Sequence, residues 1–283
     1  MNNLDVLNYG NKLLKSSNIS SYKLDSELIL AKVLNYTREK LLINLDKKLE
    51  KKIFKNYKYL INRRKKNEPM AQIFENKEFW KYNFFVNRNV LIPRPETELI
   101  VEEVLKLTNY NSSKHILDIG TGSGCIIISI LKNRPFFHAT ALDISSKAIK
   151  IAVFNAKMHH LENKIKFINI DVDKFNLNKY DFIVSNPPYI KKLELMRLSS
   201  NVRLYEPKIA LEAGIDGFKE IKKIILKSKK LLKKNGKLIF EIGDKQKENS
   251  LFLLKKNGFY INKVCSDTSS IPRVLISTKI DNE

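Results

Sequence analysis

The sequence predicts an α/β chain, a mostly parallel sheet covered by helices on both faces, with a small helical segment in front of it. Three observations carry that prediction. Short apolar runs alternate with helical patterns after His115. A glycine-rich turn directly follows the first of those runs. Residues 1–68 show helical spacing with no turn punctuation after Gly10.

In the first segment Leu24, Leu28, Ala31 and Leu34 recur at helical spacing, as do Ile53, Tyr57, Leu60 and Ile61. Asp25-Ser26-Glu27 suits a helix start, where acids complement the dipole. Arg63-Arg64-Lys65-Lys66 closes the segment and Pro69 forbids simple continuation. Residues 1–68 are therefore expected to form a helical domain. Residues 69–90 change character: Phe79, Trp80, Tyr82, Phe84, Phe85 and Val86 are the residues of a strand or hairpin, so a β-hairpin linker is expected. Pro93-Arg94-Pro95 breaks it, and Glu96-Thr97-Glu98 opens a helix carrying Leu99, Ile100, Val101, Val104 and Leu105.

Residues 91–283 are expected to form the sheet domain. Its strands are placed at His115–Ile119, Ala139–Leu142, Ile165–Ile170, Phe182–Val184 and Lys237–Ile242. Helical patterns lie around Cys125–Leu131, Lys147–His159 and Phe218–Leu232. Phe259–Cys265 and Val274–Thr278 follow one another without a helix, which predicts an antiparallel pair at the sheet edge.

Composition narrows the setting. With 283 residues and 43% hydrophobic content the chain can bury a sizeable core. No apolar run reaches the roughly 20 residues of a membrane span, and MNNLDVLNYGNKLLK lacks the pattern of a secretory signal. A cytoplasmic protein is expected, with no membrane partner. Cys125 and Cys265 cannot build a disulfide framework. His115, His138, His159 and His160 make no ligand pattern, so no metal is expected. The formal charge of +22 favours anionic partners in principle. Yet 43 of the 52 cations are Lys, scattered along the chain beside abundant Ile and Asn, as in proteins from genomes poor in G and C. No dedicated nucleic-acid surface is expected from that pattern.

Three of the nine glycines fall within Gly120-Thr121-Gly122-Ser123-Gly124, between a strand and a helix. Such glycines allow backbone N–H groups to approach a ligand, and the following helix N-terminus favours a negative group. The dinucleotide fingerprint is G-x-G-x-x-G. The tighter G-x-G-x-G spacing here is similar to the first motif of S-adenosylmethionine methyltransferases. Asp143 ends the next strand about 20 residues on, where a carboxylate accepts ribose hydroxyls; it could equally cap the helix that follows. Asp171-Val172, after the third strand, suits an adenine contact.

Ser185-Asn186-Pro187-Pro188-Tyr189-Ile190 follows the fourth strand, at the ligand-binding end of a parallel sheet. Two prolines fix the backbone and remove two donors. Asn186 and the Pro187 carbonyl can then accept both protons of an NH₂ group, while Tyr189 offers a flat face beside it. A conjugated nitrogen is a poor nucleophile, and accepting from both its N–H groups raises its electron density and orients it. The predicted chemistry is methyl transfer to a planar nitrogen.

The chain resembles the HemK/PrmC family of peptide chain release factor N5-glutamine methyltransferases over nearly its whole length. The resemblance rests on Asn67-Glu68-Pro69, Lys77-Glu78-Phe79-Trp80 and Val90-Leu91-Ile92-Pro93-Arg94-Pro95-Glu96-Thr97-Glu98. It continues through the glycine turn, Asn186-Pro187-Pro188-Tyr189-Ile190, Arg203-Leu204-Tyr205-Glu206-Pro207, Asp267 and Arg273. It implies a class I methyltransferase fold: a Rossmann-like, mostly parallel seven-stranded sheet with an antiparallel edge strand. It also implies a helical domain that docks the substrate, S-adenosylmethionine as methyl donor and S-adenosylhomocysteine as product. The acceptor it implies is the Gly-Gly-Gln glutamine of class 1 release factors, held by Asn186, Pro187, Pro188 and Tyr189; a monomer is expected. Gly120, Thr121, Gly122, Ser123, Gly124, Asp143, Asp171, Val172, Asn186 and Thr97 are the cofactor contacts it implies, although a helix N-cap accounts equally well for Thr97. The chain departs from many relatives at Glu75, where a glycine is common, and at Val172, where a bulkier residue is.

Two other readings stay open on the sequence. N-P-P-Y also occurs in DNA adenine methyltransferases, so a DNA or RNA adenine-N6 methyltransferase is one, which the net charge favours and the lack of a recognition domain and of clustered basic residues opposes. A non-enzymatic nucleic-acid or ribosome-binding protein with a vestigial cofactor fold is opposed by the intact Gly120, Gly122, Gly124, Asp143 and Asn186. Arginine is scarce, with nine residues, yet Arg94, Arg203 and Arg273 remain arginine inside the motif segments. That pattern predicts planar, bidentate roles that Lys cannot fill. Arg→Lys at each should reduce activity more than Arg→Lys at Arg38 or Arg134, measured as kcat/KM, and equal losses would contradict it.

Overall fold

The computed structural model describes residues 1–280. They pack as two compact units: Met1–Glu75 with Ser199–Tyr205, and Asn76–Leu198 with the chain from Glu206 onward.

The first unit contains α1 (Asn3–Lys15), α2 (Tyr22–Leu34), α3 (Arg38–Ile43), α4 (Lys51–Lys65) and α5 (Met70–Phe74). Asn2 and Asp5 close a capping box that satisfies two orphan donors of α1. Val6, Leu14, Ile29, Leu30, Tyr57 and Ile61 form its core. The expected stripe on α2 is rotated: Leu24 is 45% exposed, while Ser26, Ile29 and Leu30 are buried. Apolar residues surround this helix, so spacing alone left two faces available. Polar pairing selects between them. Asp25 does not merely complement a dipole in solvent; it is buried, accepting from Ser21 Oγ at 2.7 Å and Arg64 Nε at 2.7 Å. Gly10 is no turn either, because it lies inside α1 where a Cβ would stand 1.9 Å from the Tyr57 hydroxyl. That hydroxyl meets Ser26 Oγ at 2.6 Å.

Arg63 and Arg64 also do more than end a helix. Arg63 makes two parallel bonds to Glu68, Nε to Oε2 at 2.8 Å and Nη2 to Oε1 at 2.6 Å. Residues 69–75, expected in the hairpin linker, form α5 within the helical unit, with Pro69 as its N-cap. Glu75 takes the left-handed C-cap at φ 53°, a conformation that favours glycine. Helix α9 (Ser200–Tyr205) joins this unit through Gln72 Nε2 to the Tyr205 carbonyl at 2.8 Å and the Tyr205 hydroxyl to the Lys66 carbonyl at 2.8 Å.

The second unit begins with strands β1 (Lys77–Phe79) and β2 (Tyr82–Phe84), paired antiparallel. Trp80 and Lys81 turn the hairpin at φ 48° and 67°, without Asn or Gly. Glu98 Oε1 accepts the Trp80 N–H at 2.9 Å and helps hold that turn. A one-turn 3₁₀ helix, Pro95–Thr97, leads into α6 (Glu98–Lys106). Then follow β3 (His115–Ile119), α7 (Cys125–Asn133), β4 (His138–Asp143), α8 (Ser146–Met158), β5 (Ile165–Asn169) and β6 (Tyr180–Ser185). The chain continues with α10 (Lys219–Leu231), β7 (Leu232–Glu241), α11 (Lys247–Lys256), β8 (Phe259–Ser266) and β9 (Pro272–Lys279). The seven-stranded sheet has the order β5-β4-β3-β6-β7-β9-β8. Strands β3 to β7 run parallel and β9 is antiparallel to both its neighbours.

Alternate residues of the central strands feed two clusters: Ile116, Val184 and Ile239 join one, and Leu117, Ile183 and Leu238 the other. Each expected strand is present, within a few residues at its ends. Helix α11 had no expectation, since only Ser250 and Leu254 of its ten residues are buried and no apolar stripe marks it.

Arg134 is not a tolerant surface cation: Nε donates to Thr108 Oγ1 at 2.9 Å, Nη1 to the Asn133 carbonyl at 2.8 Å, and Nη2 to the Leu105 and Thr108 carbonyls at 2.6 and 2.7 Å. Its fork joins the end of α7 to the end of α6, and a Lys has no such geometry. Arg38 makes one exposed bond, to Glu27 at 2.7 Å. Chemical denaturation should show Arg134→Lys losing about 1–3 kcal/mol and Arg38→Lys within about 0.5 kcal/mol of the parent. Equal losses would contradict the structural role.

Candidate functional site

Strand order reverses between β3 and β6: β4 and β5 continue on one side and β7 on the other. Ligands of open parallel sheets bind at that point, beyond the carboxyl ends of the strands. Here Ile119 pairs with Ser185, and Ser185 Oγ donates to the Ile119 carbonyl at 2.7 Å. Both signature segments therefore leave the sheet side by side, the glycine turn from β3 and Asn-Pro-Pro-Tyr from β6. A cavity of about 560 Å³ opens between them, within the size range of small-molecule sites.

Gly120, Thr121, Gly122 and Ser123 line one wall. The turn works differently from the expectation that its N–H groups face a ligand. Gly120 and Thr121 N–H both donate to the Leu142 carbonyl at 2.9 Å, and Gly122 N–H donates to Asp143 Oδ2 at 3.0 Å. The glycines instead supply left-handed backbone, φ 73° and 56° at Gly120 and Gly122, and a smooth wall. A Cβ at Gly120 would meet nothing within 4 Å. Gly124 lies outside the lining; a Cβ there would stand 3.0 Å from Ile128 Cδ1 and 3.4 Å from Ala152 Cβ, so its smallness brings α7 against α8. Asn155, fully buried on α8, donates to the Ser123 carbonyl at 2.8 Å and the Phe85 carbonyl at 3.0 Å, and accepts the Phe85 N–H at 2.8 Å. No sequence signal marked it.

Asp143 and the Asp171-Val172 pair also line the cavity. Asp143 is not the cap of α8: Ser145 is, accepting from Ala148 N–H at 3.2 Å. Asp143 Oδ1 accepts the Ser145 N–H at 2.8 Å, and each of its oxygens keeps a second lone pair. Burial raises its pKa against those two N–H bonds. Asp171 Oδ1 accepts the Asp173 N–H at 2.9 Å, capping a 3₁₀ turn, and Oδ2 lies 3.7 Å from Lys223 Nζ. Its side chain is thus already partnered, whereas Val172 packs into the apolar cluster beneath the cavity.

Asn186, Pro187 and Pro188 form the opposite wall, with Thr97 beside them. Thr97 makes no side-chain cap bond to α6. Its hydroxyl instead accepts from Asn186 Nδ2 at 2.9 Å and donates to Glu241 Oε2 at 2.5 Å. With Nδ2 committed to Thr97, Oδ1 is the end of the Asn186 amide left to a ligand. Tyr189 lies outside this cavity, packed on Gly243, where a Cβ would stand 2.8 Å from its ring. Its hydroxyl pKa is raised by burial and by Glu241.

The proline-rich entry to the site is fixed by Glu206, whose Oε1 accepts from Arg94 Nη2 at 2.5 Å and whose Oε2 accepts the Ile92 N–H at 3.0 Å. Arg273 Nε donates to Asp267 Oδ2 at 2.8 Å. Both motif arginines outside the helical unit are therefore paired with motif acids.

Two acids had no role in the sequence reading. Asp118 has no exposed surface, accepts from Thr121 Oγ1 at 2.7 Å, and leaves Oδ1 without a partner. Burial pushes its pKa up to about 7, against the Thr121 bond and with help from Asp143. Glu241, 2% exposed, is likewise pushed up to about 7 by burial, the Thr97 bond opposing. An acid inside an apolar strand run was the available signal for both. Cys125 lines the cavity as a buried thiol, raised to about 12 by burial, and acts as packing. Among the described residues no cluster of His, Cys, Asp and Glu could hold a metal ion.

Comparison with known proteins places these features in a family context. Residues 5–74 match the PrmC N-terminal domain and residues 95–202 the methyltransferase small domain. The release factor glutamine methyltransferase of Clostridium acetobutylicum is 36% identical over 278 residues, 97% of this chain and 98% of that protein. The bifunctional methyltransferase of Rickettsia felis is 35% identical over 304 residues, 98% of this chain but 58% of that longer protein. Among solved structures, the hMettl16 catalytic domain in complex with an RNA hairpin superposes with a TM-score of 0.55 at 20% identity, covering 70% of this chain and 76% of that one. That likeness is one of fold.

The buried acids set a pH dependence. Asp118 binds its proton more tightly folded than unfolded, moving from 3.8 to about 7. The folded state therefore holds the extra proton between those values, and stability falls as pH rises through that window. Asp118→Asn removes the penalty. In denaturation series the variant should gain on the parent between about pH 4 and about pH 7, and a gap independent of pH would contradict the assignment.

Proposed function

Because the chain belongs to the release factor glutamine methyltransferase family, we propose that it methylates the side-chain amide nitrogen (N5) of the Gly-Gly-Gln glutamine in class 1 release factors. That activity supports translation termination. The fold is that of a class I methyltransferase, with a seven-stranded sheet and a helical N-terminal unit. The observation that carries the reading is the Thr97–Asn186 bond, which leaves an acceptor oxygen at the mouth of a smooth glycine-walled cavity.

The residues fit S-adenosylmethionine. The cavity has the volume of a small-molecule site, its glycine wall excludes Cβ atoms, Asp143 supplies an acceptor for hydroxyls, and Val172 gives an apolar floor. When bound, the cofactor supplies a methyl group on a positively charged sulfur and leaves as S-adenosylhomocysteine.

The chain's own residues act on the acceptor. Asn186 Oδ1 and the Pro187 carbonyl accept both protons of the glutamine amide, which enriches the nitrogen and fixes its direction of approach. Pro188 keeps the loop rigid, and Tyr189 braces it from behind rather than stacking on the substrate. A proton leaves to solvent after transfer, so no strong base is needed. In this proposal the unit Met1–Glu75 docks the release factor, the protein acts as a monomer in the cytoplasm, and its +22 charge reflects composition. No helix among the described residues is long and apolar enough to cross a membrane.

Purified protein and labelled cofactor, offered release factor and nucleic acid in parallel, should label only the Gly-Gly-Gln peptide. Asn186→Ala should lower transfer by about 10²–10³-fold, with cofactor affinity by calorimetry reduced only a few-fold. Unimpaired transfer by that variant, or label on nucleic acid instead, would contradict the proposal.

A further inference from the structure

We infer that Glu241 is a positioning residue for methyl transfer: through the Thr97 hydroxyl it decides which end of the Asn186 amide faces the acceptor. The inference rests on the proposed methyl-transfer reading and extends it to a residue on another strand.

The geometry is a short chain of hydrogen bonds. Glu241 ends β7, Thr97 ends the 3₁₀ helix before α6, and Asn186 follows β6. Glu241 and Thr97 are each 2% exposed, so water does not compete for their bonds. Thr97 Oγ1 lies 2.5 Å from Glu241 Oε2 and 2.9 Å from Asn186 Nδ2.

Proton counting then fixes the directions. A threonine hydroxyl has one proton, and an ionised carboxylate can only accept. The Thr97 proton therefore goes to Glu241, and the Thr97 oxygen can only accept from Asn186. The NH₂ end of the Asn186 amide must face Thr97, which turns Oδ1 to the cavity. The two ends of an amide are nearly equal in shape, so packing alone does not choose between them. A donor at position 241 reverses the logic: it donates to Thr97, Thr97 donates to Asn186 Oδ1, and an NH₂ group is then turned toward the substrate's own NH₂. Donor against donor cannot grip the acceptor.

The groups facing Glu241 come from several elements. They are Thr97 and Glu96 from the 3₁₀ helix, Tyr189 from the Asn-Pro-Pro-Tyr loop and Arg273 from β9. Arg94 stands near Tyr189 in the same group of charges. Burial raises the Glu241 pKa most; Glu96 raises it further, while Arg273 and the Thr97 and Tyr189 hydroxyls lower it, leaving about 7. Protonation gives Glu241 a proton of its own to donate, so it no longer obliges Thr97 to be the donor between them. Turnover should therefore be lost as pH falls through about 7, as a single-proton acid limb in kcat.

The test follows kcat, KM and cofactor affinity against pH for methyl transfer to release factor by the full-length protein. Glu241→Gln should lower kcat by about 10–100-fold, leave KM and cofactor affinity within a few-fold, and abolish the acid limb. Thr97→Val should behave the same way, whereas Thr97→Ser, which keeps the hydroxyl, should retain both rate and limb. Asp118→Asn should keep the limb, which separates Glu241 from the other raised carboxyl. If Glu241→Gln does not fold, the wild-type limb and the Thr97 pair decide the matter. Wild-type kcat and an unchanged limb in Glu241→Gln, or Thr97→Val behaving like Thr97→Ser, would overturn the inference alone. A wild-type protein that labels no release factor at all would overturn the methyl-transfer reading with it.

Discussion

The parallel register of β3 with β6 is the constraint on which the rest of the site depends. Ile119 stands opposite Ser185, and the Ser185 hydroxyl ties that pair together at 2.7 Å. Since the sheet changes direction there, no crossover helix covers the strand ends, and the two chains that emerge must share one crevice. A slip of one residue would exchange the faces of β6, sending Ile183 toward the wrong cluster and moving Asn186 off the cavity wall. Packing of alternate residues into two cores is therefore what places the site chemistry.

Around that frame the protein uses buried acids to set conformations. Glu206 receives the Ile92 N–H and the Arg94 guanidinium and so fixes the proline-rich segment before Thr97. Glu241 orders Thr97, and Thr97 orders Asn186. Asp143 and the Leu142 carbonyl hold three N–H groups of the glycine turn. Backbone groups that might have bound a ligand are thus spent on shaping the wall, and the wall's smoothness is its contribution. Buried carboxylates are unfavourable for stability in proportion to their raised pKa values, and two of them, Asp118 and Glu241, sit within this one site.

Much of this was legible in the sequence because it depends on local patterns. Strand–helix alternation gave the sheet, and the antiparallel end followed from two strand-like runs with no helix between them. The family resemblance pointed to the site segments. What stayed hidden depends on contacts remote in sequence. The inward face of α2 is chosen by Arg64 pairing with Asp25, 39 residues away. The value of Arg134 lies in carbonyls at Leu105 and Thr108, which no composition argument could weigh. Gly124 belongs to the right motif yet serves packing, and Tyr189 lies outside the cavity's lining, since spacing places a residue in a loop without saying which way it faces. The link from Asn186 to Glu241 joins the ends of two neighbouring strands through a 3₁₀ helix and has no linear signature.

A crystal structure with S-adenosylhomocysteine and a Gly-Gly-Gln peptide bound tests the central claim most directly. The account predicts the glutamine amide nitrogen at about 3 Å from both Asn186 Oδ1 and the Pro187 carbonyl, with Asn186 Nδ2 still on Thr97. A glutamine lying outside the crevice, or an Asn186 turned so that Nδ2 meets the substrate, would contradict it.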